Sequence, residues 1–274
     1  MKNISYKLTF LLTTAVVVLV SIFPFLWFVS TSFKREIEIS SIPPIFIPSF
    51  NMQFYQSTIS NYDIFLYIKN SLLVAGCTTI ITIFISSLAG YALACLKLKG
   101  KRLIMGIILA SSMFPQISIA GPIWRILDFF GWLNCYQGLI LPYVTLTLPL
   151  GIWILASFFD KLPKEIEEAA MIDGCSHIQV LLKIIAPLSL PGIFTASILV
   201  FIYAWNEFFF ALLVMTEEKY RTLPVGIALF QGQYTMPWGE IAAASTIATI
   251  PLVILVMFFQ KQIVSGLSAG AVKE

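Results

Sequence analysis

Six strongly apolar stretches of this chain contain no charged residue: Leu8–Phe33, Asn70–Leu96, Leu103–Trp124, Phe129–Phe159, Ile184–Asn206 and Ile241–Gln260. The shortest holds 20 residues. A helix rises about 1.5 Å per residue, so about 20 apolar residues cross the roughly 30 Å of hydrocarbon in a bilayer. Each stretch therefore predicts a membrane-spanning helix, over about 8–32, 70–96, 103–122, 139–159, 185–213 and 241–261. The fourth stretch is too long for one span, so 131–138 is expected in an outer loop. The predicted fold is all-α, a polytopic membrane protein with six transmembrane helices forming one domain over 1–274. A soluble enzyme and a disordered chain are both excluded. Apolar residues make up 58% of the chain and charged residues 11%, against about 25% charged in a soluble domain.

The few charges set the expected orientation. Lys97, Lys99, Lys101 and Arg102 crowd one short loop, and basic loops stay in the cytoplasm. Six spans then place both termini in the cytoplasm. Of the 17 Lys and Arg residues, 11 fall on that side (Lys2, Lys7, Lys97, Lys99, Lys101, Arg102, Lys161, Lys164, Lys183, Lys261, Lys273). Six fall outside: Lys34, Arg35, Lys69, Arg125, Lys219 and Arg221. Lys2 and Lys7 ahead of an apolar run resemble a signal peptide. Leu8–Ser32 is longer than such an apolar region and lacks a convincing small-residue cleavage site, so it predicts a retained span. Prolines at 115, 122, 142 and 149 predict bent helices.

Candidate chemistry is sparse. Cys77, Cys95, Cys135 and Cys175 have no CxxC spacing, which argues against a disulfide framework or a metal site. No basic and aromatic cluster points to nucleic acid. Gly100-Lys101 is followed by Arg102 without the glycine spacing of a nucleotide-binding loop, so no ATP site is expected in this chain. Gly266-Leu267-Ser268-Ala269-Gly270 fits G-x-S-x-G, but it follows the last span rather than a strand-to-helix turn. No catalytic residue is assigned.

Asp160–Pro187 differs from its surroundings. Leu162, Ile166, Ala169 and Ala170 form one apolar stripe at helical spacing, with Lys164, Glu165, Glu167 and Glu168 off it. Pro163 suits a first helical turn, and Gly174 is expected to end this helix. Ser176 and Gln179 form a capping box for a second helix, with a stripe at Ile178, Leu181, Leu182 and Ile185. Five acids stand against three lysines (Asp160, Glu165, Glu167, Glu168, Asp173; Lys161, Lys164, Lys183), so a protein is a better partner than anionic lipid for this helix pair.

The spacing Glu168-Ala169-Ala170, Gly174, Ile184 and Pro187 resembles the EAA loop of ABC-importer permeases. Ala186 stands where that signature usually has Leu. Gly90-Tyr91-Ala92-Leu93-Ala94, Lys99-Gly100-Lys101, Leu162-Pro163, Trp205-Asn206-Glu207, Thr222-Leu223-Pro224 and the tail Gly266–Lys273 are also similar to carbohydrate-importer permeases. The likeness covers nearly the whole chain and points to the second permease of maltose- and trehalose-type systems. It implies the type I ABC-importer permease fold and a multi-pass cell-membrane location. It also implies a homologous second permease forming a heterodimer, an ABC ATPase dimer and an extracytoplasmic sugar-binding protein. The chain itself would hold no cofactor, with ATP and Mg on the ATPase.

The same resemblance assigns expected sites. The loop at about 160–187 would dock the ATPase through Glu165, Glu168, Ala169, Ala170, Asp173 and Gly174. Gln231, Gln233 and Tyr234 would reach the binding protein; an ordinary interfacial loop is the other reading. Tyr203, Trp205, Asn206, Glu207, Gln116 and Thr249 are candidates for a sugar pathway. Glu207 is the one acid well inside an apolar stretch, where a carboxylate costs roughly 2.5–3.5 kcal/mol at the bilayer centre. Pathway contact and helix-packing hydrogen bonds both explain it. From composition alone, a channel or secondary transporter for another small solute competes with the importer. It has no use for an ATPase dock, and no clear internal repeat favours it.

Overall fold

The computed structural model describes residues 2–230 and 236–271, with side chains described at 7, 9–230 and 236–260. Among these, all regular structure is helical. The principal helices are α1 (Lys2–Ser32), α2 (Gln53–Asn61), α3 (Ile64–Ala94), α4 (Lys101–Ser111), α5 (Gln116–Phe129), α6 (Tyr136–Phe159), α7 (Lys164–Ile172), α8 (His177–Leu188), α9 (Leu190–Asn206), α10 (Phe209–Val214), α11 (Leu223–Ala228) and α12 (Trp238–Ala271). Four are long and apolar enough to span a bilayer: Thr9–Ser32, Ile64–Ala94, Tyr136–Phe159 and Trp238–Gln260. The number rises to six if each of two bent pairs is one span.

Those bent pairs depart from the straight spans expected over 103–122 and 185–213. Helices α4 and α5 meet at 86°. Pro115 has extended backbone at the start of α5, and proline disfavours helical geometry in the residue before it. Helices α8 and α9 meet at 85°, where Ser189 leaves helical geometry and Pro191 opens the next helix. A second break falls at Glu207 and Phe208, so the expected span to 213 is completed by a separate helix, α10. Helix α3 begins before the uncharged run and carries Lys69.

The chain divides into two compact units. The first comprises Met1–Phe65 and Gly226–Ile250. Within it, the most apolar window of α1 buries nothing, which leaves that helix for lipid or another chain. At its end Lys34 is buried, its ammonium 3.9 Å from the centre of the Trp27 ring. Ser57 on α2 donates to Glu240 at 2.7 Å, and Tyr62 stacks on Phe230 at 3.6 Å. Glu240 also sits in the first turn of α12, where a negative charge is favoured.

The second unit comprises Leu66–Val225 and Pro251–Glu274. Helix α6 is its centre, with two-thirds of its most apolar window buried. Lipid tails are as apolar as leucine, so membrane helices associate through close packing and hydrogen bonds rather than hydrophobicity. Both devices are present. Gly90 lies so close to α6 that a Cβ would stand 3.0 Å from the Ala156 nitrogen. The hydroxyls of Thr82 and Thr147 pair at 2.9 Å between α3 and α6.

Candidate functional site

The helix pair α7–α8 follows from its local sequence. Glu165 and Glu167 occupy the first turn of α7, where the helix dipole favours acids. Gly174 has φ +84°, a left-handed conformation that costs an L-residue about 1–2 kcal/mol. It lets the chain turn, with the Gly174 amide donating to Met171 and the Cys175 amide to Ala170. Ser176 then caps α8, and its capping box with Gln179 is closed in both directions.

One face of the pair is held by the membrane helices. Ala170, Val180, Leu181 and Ile185 are buried with Tyr91, Ala94, Leu155 and Phe159 in a single cluster. Of the stripe expected at Ile178, Leu181, Leu182 and Ile185, Leu181 and Ile185 are buried and the other two are not. Leu181–Ile185 forms a π-turn, which widens the helix and brings residues five apart onto one face. Val180 and Ile185 are therefore both buried, while Ile178 and Leu182 are exposed.

A polar tie reinforces this core. The Tyr91 hydroxyl at the end of α3 donates to Glu167 Oε1 at 2.6 Å and lies 3.3 Å from His177 Nδ1. One side chain thus touches both helices of the pair. Sequence reading does not find this tie, because its partners lie 76 and 86 residues apart. The available signal is the Gly90–Ala94 motif, in which Tyr91 is the one polar side chain. The Tyr91→Phe variant is expected to lose about 1.5–3 kcal/mol, because a half-buried carboxylate loses its donor. A lower thermal midpoint and faster proteolysis within 164–188 would register this; unchanged protection would count against the tie.

The opposite face is uncovered among the described residues. Glu165, Glu168, Ala169, Asp173 and Gly174 are exposed there, and Ile172 is 86% exposed at the tip, with Ile178 at 62%. Ala170 differs from the other expected docking residues in pointing into the core, at 5% exposure. The result is a rigidly mounted apolar tip ringed by carboxylates, a surface suited to another protein. Among the described residues no group of His, Cys, Asp and Glu could hold a metal ion.

The expected pathway residues divide. Gln116 Nε2 donates to the Tyr203 hydroxyl at 2.6 Å, which brings α5 and α9 together through two polar groups. Asn206 is exposed at the end of α9 and donates to its own helix at Ile202. Trp205 is buried, and the Thr249 hydroxyl bonds back to Ser245. Glu207 is buried at the break between α9 and α10. Its carboxylate accepts the Phe210 amide at 2.9 Å, the Ala211 amide at 3.2 Å and the Tyr143 hydroxyl. It caps α10 and bonds that break to α6, and its oxygens are taken up by the protein. Gln231, Gln233 and Tyr234 lie outside the described residues.

Residues 83–269 match the family described as "Binding-protein-dependent transport system inner membrane component". The chain belongs to this family. It is a multi-pass membrane protein, and its relatives are transport permeases. It is 49% identical over 265 residues to the trehalose/maltose transport system permease protein MalG of Thermococcus litoralis, covering 93% of this chain and 92% of the relative. It is 43% identical to the sulfoquinovosyl glycerol transport system permease protein SmoH of Agrobacterium fabrum, covering 92% and 89%. With the trehalose transport system permease protein SugB of Mycobacterium tuberculosis it shares 44% identity over 74% and 75%. The fold is that of a solved bacterial ABC transporter involved in alginate import, with a TM-score of 0.80 at 18% identity over 95% of this permease and 97% of that chain.

Proposed function

We propose that this permease is one of two transmembrane subunits of an ATP-driven importer for a disaccharide or short oligosaccharide. Relatives named for trehalose, maltose and a glycosylated glycerol support a sugar as the solute. In this reading six spans place both termini, the 97–102 loop and α7–α8 in the cytoplasm. A separate ATPase dimer holds ATP and Mg and receives the tip formed by Ile172, Ala169 and Ile178, with Glu165, Glu168 and Asp173 around it. Ala170 keeps the pair seated on the membrane core. ATP-driven closure of the ATPase then moves the pair as a rigid body and rocks the spans between inward-open and outward-open states. Gln116, Tyr203 and Asn206 lie along the sugar path, while Glu207 holds the helix break in place. An extracytoplasmic sugar-binding protein delivers the solute and meets Gln231, Gln233 and Tyr234.

The observation that carries this reading is the exposed tip on a pair anchored so firmly behind it. The test is to purify the chain with its companion subunits and add its binding protein loaded with one sugar at a time. A disaccharide is expected to stimulate ATP hydrolysis. Ile172→Glu is expected to reduce the co-purified ATPase roughly tenfold or more, since an interface anchor contributes about 2 kcal/mol or more. Full ATPase retention in that variant would sink the docking assignment. No stimulation by any sugar would sink the solute class.

A further inference from the structure

Lys101 and Arg102 occupy the first two positions of α4. A helix N-terminus carries partial positive charge, so two cations there are poorly placed unless an anion joins them. The chain itself supplies little. The first turn of α4 has no acid and no side-chain cap. Lys101 Nζ lies 3.9 Å from Asp160 Oδ1, with both side chains substantially exposed, and such a contact is weak. Arg102 has no ion pair among the described residues.

These two cations open onto a cleft of about 330 Å³ between the start of α4 and the end of α6. Its polar lining is Lys101, Arg102, Ser157 and Asp160, with a net positive charge. Its apolar lining is Leu93, Ala94, Met105, Trp153 and Ala156. Trp153 precedes Asp160 by seven residues, about 10 Å along α6, and is 49% exposed. Trp at this depth suits the boundary between headgroups and hydrocarbon. A soluble anion would use the two cations and leave the apolar lining bare. A zwitterionic headgroup would bring its own cation toward Lys101 and Arg102.

We propose that this cleft binds an anionic phospholipid. Its phosphate pairs with Lys101 and Arg102, and the first part of an acyl chain lies along Met105 and Trp153. Basic pockets between membrane helices are suited to such headgroups. This site is independent of which solute the transporter carries. The lipid also bridges α4 to the end of α6, from which the chain passes into α7.

Native mass spectrometry of the intact transporter tests this, with phosphatidylglycerol and phosphatidylcholine supplied equally. The wild type is expected to retain phosphatidylglycerol selectively. K101Q/R102Q is expected to lower that retention roughly tenfold or more, whereas K97Q/K99Q, which removes the same charge from the same loop, leaves it nearly unchanged. Ser157→Leu, which fills the cleft without touching charge, is expected to lower retention as well. Inorganic phosphate is expected not to displace the lipid. Equal losses in both double variants, displacement by phosphate, or no retained lipid in the wild type would each overturn the proposal.

Discussion

Gly174→Val is expected to lower transport roughly tenfold or more while leaving the chain in the membrane. The residue sits at φ +84°, and a β-branched side chain is a severe outlier there. Space is not the obstacle, since a Cβ at this position meets nothing within 4 Å. The backbone must instead leave the left-handed region, so the turn between α7 and α8 opens. Ile172 and Ile178 then lose their common tip. Because α7 and α8 are anchored separately in the core through Ala170 and through Val180 and Ile185, the membrane helices need not follow. ATP hydrolysis should uncouple from solute uptake in proteoliposomes, with uptake falling roughly tenfold or more for the 1–2 kcal/mol or greater strain. Gly174→Asn is the useful companion, because asparagine tolerates this conformation. It should retain more uptake than valine. Equal uptake in the valine variant and the wild type would remove Gly174 from the coupling mechanism.

Glu207→Leu is expected to cost about 3 kcal/mol or more, because several buried donors are left without an acceptor at about 1–3 kcal/mol each. Two amides of α10 and the Tyr143 hydroxyl lose their acceptor together. Glu207→Gln keeps the shape but turns one acceptor into a donor facing other donors, so a smaller loss of about 1.5–3 kcal/mol is expected. Membrane yield and the thermal midpoint of the purified complex would register both. Solute preference should stay the same in the Gln variant. A changed preference would return Glu207 to the sugar path and contradict its role as a cap.

Helix α7–α8 illustrates how much of the candidate site is legible in chain order. Its turn and its cap are local devices, built from Gly174 and from Ser176 with Gln179, three residues apart. They can be read without a structure. The burial pattern of α8 cannot, because the π-turn at Leu181–Ile185 replaces the period on which the stripe depends. Ala169 and Ala170 look equivalent in sequence, yet one is exposed and the other buried. Which alanine faces the core is set by how α7 rolls on α3 and α6.

The bends were legible only in part. Prolines announce that helices in this region are interrupted, but not that α4 meets α5 at 86° or α8 meets α9 at 85°. Those angles depend on the helices available to satisfy the freed backbone groups.

The length and polarity of its apolar runs alone make this chain a helical membrane protein, because hydrocarbon allows only helices or closed barrels, and barrel strands are only about 9–11 residues long. Residue spacing alone places a capped helix pair between two apolar runs. The assignment of Glu207 to a helix cap, of Tyr91 to the tie beneath that pair, and of Ile172 to its tip came from packing. Glu207 meets Tyr143 across 64 residues and Tyr91 meets Glu167 across 76. Such partners are brought together only when the helices close on one another, and no local pattern in the chain encodes them.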